Sequence, residues 1–383
     1  EYNIGMDSLT LHTTSQNPHV ARLVLSAFNG IAPEHKLRVI APDVGGGFGV
    51  KGHVYPEELV VAWMAMRLGR PVRWVEQRQE HLAGATHARD QIHELSIGFD
   101  ESGRMLALRD SAWIDSGAFC PVGAGVAYNT PAHMLGPYDI AHFSSRTRVV
   151  ATNKSPNAPY RGAGRPEAVQ VMERAMDLVA VALGMEPAAV RFVNLIKPHQ
   201  MPYPVGLPYR DGHPIVYDSG DYVCALEQAI AAIGGVESFR QTQRQAAADG
   251  RLVGLGLGCY TEGTGVGPFE AAQVRIDKTG SIVVSVGACA QGQGHETVFA
   301  QVAADCWNVA PSAVVVRAGD TSAVVSGYGT VGSRSTVTAS MALKRASDAL
   351  ARKVLALAGE LLEAAVADLE LRNGGVAIRG APG

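Results

Sequence analysis

The chain has 383 residues, with 33 Lys and Arg against 36 Asp and Glu for a net charge of −3, 47% apolar residues and 18% charged ones. That length suits two ordinary domains or one large one, and the composition is that of a globular chain, not a disordered one. Near-neutral charge excludes a basic footprint for nucleic acid or an anionic membrane, and no uncharged apolar run is long enough to span a bilayer.

The opening Glu1-Tyr2-Asn3 has no basic and apolar leader and no initiator Met. A cytoplasmic protein is expected, and the sequence is expected to belong to something longer. Residues 1–80 read as strand, helix, strand, glycine loop, helix, strand. The first strand covers 9–14. The helix over 17–29 carries Val20, Leu23, Val24 and Phe28 at helical spacing, and the second strand covers 37–41. Pro56-Glu57-Glu58 opens the next helix, since Pro suits a first helical position and acids suit the positive dipole end. Leu59, Trp63 and Met66 are its predicted buried stripe.

Segments 91–99 and 105–115 flank Asp100-Glu101-Ser102-Gly103, a hairpin signal. Almost the same device recurs as Asp277-Lys278-Thr279-Gly280 between 271–276 and 281–286. Two such hairpins point to two α+β lobes, 1–249 and 250–383. The proline-rich stretch 198–214 reads as a surface loop, 219–249 as helical, and 338–368 as a long Ala/Leu helix. The five cysteines, Cys120, Cys224, Cys259, Cys289 and Cys306, are dispersed and form no C-x-x-C. They predict reduced thiols, with no disulfide framework, zinc site or iron–sulfur cluster in this chain. The histidines form no H-x-x-x-H, so no metal cage made by the protein itself is expected.

The 43 glycines cluster. Four loops place glycine beside polar side chains ahead of a helix: 45–52, Arg161-Gly162-Ala163-Gly164-Arg165, Gln291-Gly292-Gln293-Gly294, and Gly332-Ser333-Arg334-Ser335-Thr336. Glycine lets backbone N–H groups approach a ligand, and a helix N-terminus favours phosphate. One such loop is most simply a tight turn; four of a kind point to a large phosphate-bearing cofactor. Gly47, Gly49 and Gly52 satisfy G-x-G-x-x-G, but Pro56 starts the helix beyond the third glycine. A dinucleotide-binding fingerprint needs the helix already under way there.

Several segments together resemble the molybdenum-binding subunit of the xanthine dehydrogenase, aldehyde oxidase and carbon monoxide dehydrogenase family. They are Thr14-Ser15-Gln16-Asn17-Pro18, Gly45-Gly46-Gly47-Phe48-Gly49-Val50-Lys51, Thr152-Asn153 with Pro159-Tyr160 and the Arg161–Arg165 loop running into Pro166-Glu167, Glu262-Gly263-Thr264-Gly265, Gly292-Gln293-Gly294-His295, Gly319-Asp320-Thr321 and Gly332-Ser333-Arg334-Ser335. They run in family order from about residue 8 to residue 340. The resemblance implies a molybdenum hydroxylase with two α+β molybdopterin-binding lobes of mixed sheets and helices. The cofactor would be molybdopterin, in its cytosine dinucleotide form in bacterial members. A glutamate base assists hydroxylation of an aldehyde or electron-poor N-heterocycle with oxygen from water. Electrons then leave through [2Fe-2S] and FAD partner subunits in a dimer of hetero-oligomers.

The same resemblance implies roles for single residues. Gln16, Phe48 and Arg161 would be the catalytic set, Gln16 donating its amide to a ligand of the metal and Phe48 lying over it. Gly47, Gly49, Gly162, Gly292, Gln293, Gly294, Ser333, Arg334, Ser335 and Thr336 would join them in holding the cofactor. Ala163 and Glu262 would line the substrate pocket, and no side chain would ligate the metal. Outside the resemblance Gln16 reads as capping chemistry and Phe48 as core, while Lys51 reads equally as a phosphate-steering or a solvated lysine, and His295 as a cap or supporting group as readily as a contact.

Three departures accompany the match. The Gly-Glu segment that carries the base has no equivalent, since Gly359-Glu360 lies in a helix. The small domain ahead of the Gln16 motif is missing. Gly162 stands where the carbon monoxide enzymes carry a copper-binding cysteine, which places the chain on a non-copper branch. The expectation is a fragment or a split subunit, incompetent alone, with a further chain carrying the glutamate. The alternatives are a non-catalytic cofactor-binding or assembly subunit and an unrelated nucleotide-binding module.

Overall fold

The computed structural model describes residues 1–119, 125–209, 212–265 and 267–381. They form two compact units, Glu1–His81 with Gly263–Gly383, and Leu82–Glu262. The division expected near Gly250 follows chain order, whereas the chain enters the first unit a second time at Gly263. Cys120, in the expected thiol set, lies outside the described residues; Cys224, Cys259, Cys289 and Cys306 are free.

The first unit begins with β1 (Tyr2–Asn3) antiparallel to β2 (Ser8–His12). Helix α1 (Pro18–Leu23) extends into a π-turn at Val24–Phe28 and leads to β3 (Leu37–Ile40), parallel to β2. The helical face differs from the expected one: Ala21 and Leu25 are fully buried, whereas Leu23 is 44% and Phe28 75% exposed. The small Ala21 lets the helix lie close on the strands, and the wider π-turn shifts the stripe after it.

Helix α2 (Pro56–Leu68) also departs from its predicted stripe. Ala62 and Ala65 are buried, Leu59 and Met66 are half-buried, and Trp63 is 53% exposed with the Arg67 guanidinium 5.6 Å from its ring. Again the small residues take the contact and the bulky one turns outward. No strand follows α2. Residues 71–77 run without regular structure and leave Trp74 and Val75 exposed, so no strand pairing compensates them. Helix α3 (Arg78–Gly84) comes next.

In the second unit β4 (Gln91–Phe99) and β5 (Met105–Gly117) form the predicted hairpin. The Asp100 carboxylate accepts the backbone N–H groups of Ser102 and Arg104 and fixes the turn. After α4 (Gly125–Ala132), β6 (His142–Ala151) adds in parallel to β5. Helix α5 (Arg165–Leu183) covers this sheet with Ala168, Met172, Ala175, Met176 and Val179, an i, i+4, i+7, i+8, i+11 stripe. Short α6 (Pro187–Asn194) packs beside it.

The stretch 198–214 is not the loop expected of its prolines. It holds β7 (Tyr203–Pro208) and leads into β8 (Pro214–Tyr217), antiparallel to it, with the Tyr203 and Tyr217 rings stacked at 6.4 Å. Both strands of a two-stranded ribbon are edges, where a missing N–H is tolerated. Helices α7 (Tyr222–Ala232) and α8 (Val236–Ala248) follow as predicted.

Back in the first unit, β9 (Ala272–Ile276) and β10 (Ile282–Val286) make the second predicted hairpin. Beyond α9 (His295–Trp307), β11 (Val314–Arg317) pairs in parallel with β10. All five residues of β10 are buried, the run expected of a strand covered on both faces. Phe299, Ala303 and Trp307 of α9 pack on it with Ala339 and Leu343 of α10 (Ser335–Leu361). Strands β12 (Leu369–Arg372) and β13 (Gly375–Ile378) end the chain as a hairpin. The architecture is α+β with small mixed sheets. No helix among the described residues is long and apolar enough to cross a membrane.

Candidate functional site

Gln16 precedes α1 and is 4% exposed. It does not cap the helix. Its Nε2 donates to the Thr330 carbonyl at 2.7 Å, and its Oε1 accepts the Gly49 N–H at 2.9 Å. One side chain thereby joins the loop after β3 to a segment 314 residues beyond Gln16 itself. The backbone repeats the link: Gln16 N–H donates to Lys51 O at 2.8 Å, and Thr330 N–H to Gln16 O at 3.0 Å.

The glycine loop is shaped around that carboxamide. A Cβ on Gly47 would meet Gln291 Oε1 at 2.5 Å and Gln16 Oε1 at 2.6 Å, so only glycine leaves both amides in place. Gly46 has φ +119°, and a Cβ there would strike the Phe48 ring at 2.3 Å. Phe48 itself is left-handed, φ +56°, and 52% exposed, and so is not the core residue its type suggests. Lys51 is half-buried, and desolvation pulls its ammonium below the ordinary lysine range.

Gln291 brings the third loop to the same place. Its Nε2 lies 3.4 Å from Ser15 O, while its Oε1 is buried without a partner. Gln293 Oε1 accepts the Gln291 N–H. Gly292 and Gly294 are left-handed, and α9 starts at His295, a buried residue whose Nδ1 has no partner and which desolvation holds below the usual imidazole range. At the fourth loop Ser333 has φ +53° and its carbonyl accepts the Gly265 N–H at 3.2 Å. Ser335 is buried with Oγ 3.4 Å from Thr330 Oγ1, and Thr336 is exposed. Arg334, expected among the cofactor contacts, is instead enclosed, its guanidinium on Glu270.

The second unit holds Arg161, Gly162, Ala163 and Glu262. Gly162, Ala163 and Gly164 have φ of +101°, +50° and +97°, three left-handed residues in a row before α5. A Cβ on Gly162 would meet the Pro166 ring at 2.4 Å, and one on Gly164 would meet Thr130 Oγ1 at 2.8 Å. Arg89 donates to the Arg161 carbonyl, pairs with Glu167 at 3.0 Å and lies 5.8 Å from the Tyr160 ring. The Arg161 side chain stays at the surface. Asn129 Nδ2 donates to the Ala163 carbonyl at 3.0 Å. Buried Arg165 lies 3.3 Å from Glu262 Oε1 and 3.3 Å from the Tyr209 hydroxyl. Burial raises the Glu262 carboxyl above its ordinary range against the opposing pull of Arg165.

These residues fit a large polar cofactor on their own chemistry. In the first unit the orphaned Gln291 Oε1, the tight cradle at Gly47 and loop N–H groups at a helix start form one donor and acceptor set. In the second unit Arg165 Nε and Asn129 Oδ1 are buried without partners beside the 161–165 loop. Sequence reasoning missed Thr330 and Glu270, whose roles depend on residues distant in the chain, and it undervalued Gln291. The extra glutamine before Gly292-Gln293-Gly294 was the available signal. Among the described residues, no group of three or more His, Cys, Asp or Glu is arranged to hold a metal.

A model of the molybdopterin cofactor-binding domain matches residues 2–195, and another of the same description matches 229–382. The gamma subunit of the 6-hydroxypseudooxynicotine dehydrogenase complex of Paenarthrobacter nicotinovorans is 36% identical over 91% of this chain and 44% of its own length. The carbon monoxide dehydrogenase large chain of Hydrogenophaga pseudoflava is 36% identical over 94% of this chain and 46% of its own. Quinoline 2-oxidoreductase from Pseudomonas putida 86 superposes with a TM-score of 0.89 and 37% identity, over 99% of this chain and 49% of that one. The chain spans about half the length of these relatives.

Proposed function

The chain belongs to the molybdopterin cofactor-binding family, and from that premise we propose that it is the cofactor-holding part of a molybdenum hydroxylase. The substrate is an electron-poor N-heterocycle or an aldehyde. The observation that carries this reading is the Gln16 carboxamide, fastened to Thr330 and Gly49 beside Gly47, where a Cβ would displace it. A buried amide held at both ends is a preorganised donor, which is what orientation of a polar group requires. When bound, the molybdenum group supplies the two-electron redox centre at which an oxygen from water enters the substrate.

The chain's residues bind and orient. Gln16 Nε2 has a second hydrogen beyond the one given to Thr330 and directs it at the cofactor. Phe48 supplies an apolar face. Gly292, Gln293 and Gly294 present N–H groups and an amide at the start of α9 to phosphate, in keeping with the cytosine dinucleotide form. Ser333, Ser335 and Thr336 add hydroxyls, with Gly47 and Gly49 allowing close approach. In the second unit Arg161 and Gly162 contribute their loop to the cofactor, and Ala163 and Glu262 contact substrate. Iron–sulfur and FAD subunits in the cytoplasm take the electrons.

One solved relative is named for quinoline, an N-heterocycle, which supports that class. A carbon monoxide dehydrogenase chain is as similar in identity, so position 162 discriminates. Copper(I) needs a soft ligand, and glycine offers none. The test is elemental analysis of the complete complex with turnover of quinoline and an aromatic aldehyde against a dye. Stoichiometric molybdenum with oxidation of either is expected. Nucleotide without molybdenum, or molybdenum without turnover of either class, overturns the reading.

A further inference from the structure

Glu270 and Arg334 form an ion pair of 2.7 Å in which both side chains are 0% exposed. Burying two charges seldom improves stability over an apolar replacement, so what the pair holds matters more than what it contributes. Two glycines make room for it: a Cβ on Gly287 would meet Glu270 Oε1 at 2.3 Å, and one on Gly327 at 2.9 Å.

The pair grips both sides of one residue. Gly329 N–H donates to Glu270 Oε2 at 3.3 Å, and Arg334 Nη1 donates to Gly329 O at 2.7 Å. Arg334 Nη2 also donates to the Phe269 carbonyl, and the Tyr328 ring lies 4.8 Å from its guanidinium carbon. Gly329 is left-handed at φ +99°, and a Cβ there would strike Asn17 Oδ1 at 2.4 Å and Gln16 O at 2.6 Å. The next residue is Thr330, whose N–H and C=O both bond Gln16 and whose Oγ1 donates to Cys289 O at 2.6 Å.

We propose that Glu270 and Arg334 are positioning residues: by clamping Gly329 they hold the Thr330 carbonyl where it fixes the Gln16 carboxamide, and through Gln16 the Gly49 N–H. Arg334 thus acts through the cofactor loop's shape, not by touching the cofactor. The inference rests on the proposed function for its catalytic consequence, while the clamp itself is independent of it.

The test uses the complete protein with Glu270→Gln/Arg334→Met, which removes both charges and leaves neither unpaired, and Tyr328→Leu as a milder variant. Gln16→Ala is the reference. Hydrogen exchange at Gly49 reports the Gln16 bond whether or not metal is present. Loss of one such bond is expected to speed it about tenfold. The pair variant and Gln16→Ala should each do so, and combining them should add nothing further. Tyr328→Leu should give a smaller change of the same kind. If molybdenum is present, the pair variant should lower kcat to the Gln16→Ala level at unchanged KM, again without additivity.

Unchanged Gly49 exchange in both the pair variant and Tyr328→Leu overturns the proposal, as does an effect that multiplies with Gln16→Ala. If the pair variant does not fold, Tyr328→Leu combined with Gln16→Ala decides between the same two outcomes. A wild-type complex without molybdenum refutes the proposed function alone, because the exchange measurement still judges the clamp.

Discussion

At the scale of single residues, Gln16 links two distant segments through one carboxamide. Its two side-chain bonds are each worth on the order of 1 kcal/mol net, rising to 1–3 kcal/mol where a buried partner is left unsatisfied. In the proposed site cofactor retention is spread over several loops, whereas the proposed orienting hydrogen bond is one. Gln16→Ala in the complete enzyme is therefore expected to cut turnover by about tenfold or more while leaving most of the molybdenum in place. Turnover and metal content measured on the same preparation check this, and full values of both would reduce Gln16 to packing. His19, 7% exposed with an unpartnered Nδ1, carries a pH effect. Desolvation, with the nearby Arg22 adding to it and Asp320 opposing it, lowers its pKa to about 4. The unfolded chain takes up a proton near pH 6.5 and the folded one does not. Stability should hold above pH 7, fall between about 6.5 and 4 by at most about 3 kcal/mol, and level below that. Unfolding free energies across that range should be flatter in His19→Asn, and an equal slope would remove His19 as the cause.

At the scale of elements, α9 matters because it carries the 291–294 loop on its N-terminus. Its seat on β10 depends on Phe299, which is fully buried among Val284, Val286 and Leu343. Phe299→Ala is expected to cost about 3–5 kcal/mol by cavity formation. The urea midpoint reads that loss, and a shift below 1 kcal/mol would mean the site collapses around the smaller residue. Both predicted hairpins and the helices at 219–249 were legible because their turn signals and apolar spacing are local. The faces of α1 and α2 were not, since Ala21, Ala62 and Ala65 win the contact by allowing close approach, which hydrophobicity alone does not rank. The β7–β8 pair, whose first strand lies inside 198–214, was masked by prolines that edge strands tolerate.

At the scale of the whole molecule, the proposed substrate class turns on a residue without a side chain. Gly162 has φ +101°, and a Cβ there would meet Pro166 at 2.4 Å. A cysteine at 162 would need the loop to move, quite apart from its absence in this chain. The complete enzyme is therefore expected to contain no stoichiometric copper and to leave carbon monoxide unoxidised in a dye assay. Copper in stoichiometric amount together with carbon monoxide oxidation would refute this.

The sequence by itself determined the glycine loops ahead of helices, the two Asp-turn hairpins and the ordered set of motifs from Gln16 to Ser335. Each of these is written in neighbouring residues and needs only local backbone preferences. Tertiary structure decided the rest. Outside the family resemblance Gln16 reads as capping chemistry, and only the structure puts Thr330 and Gly49 at its two ends. Arg334 was expected among the residues holding the cofactor, and the structure encloses its guanidinium against Glu270. The physical reason is common to both: a polar side chain is defined by its partners, and these partners lie tens to hundreds of residues away, beyond the reach of any local pattern.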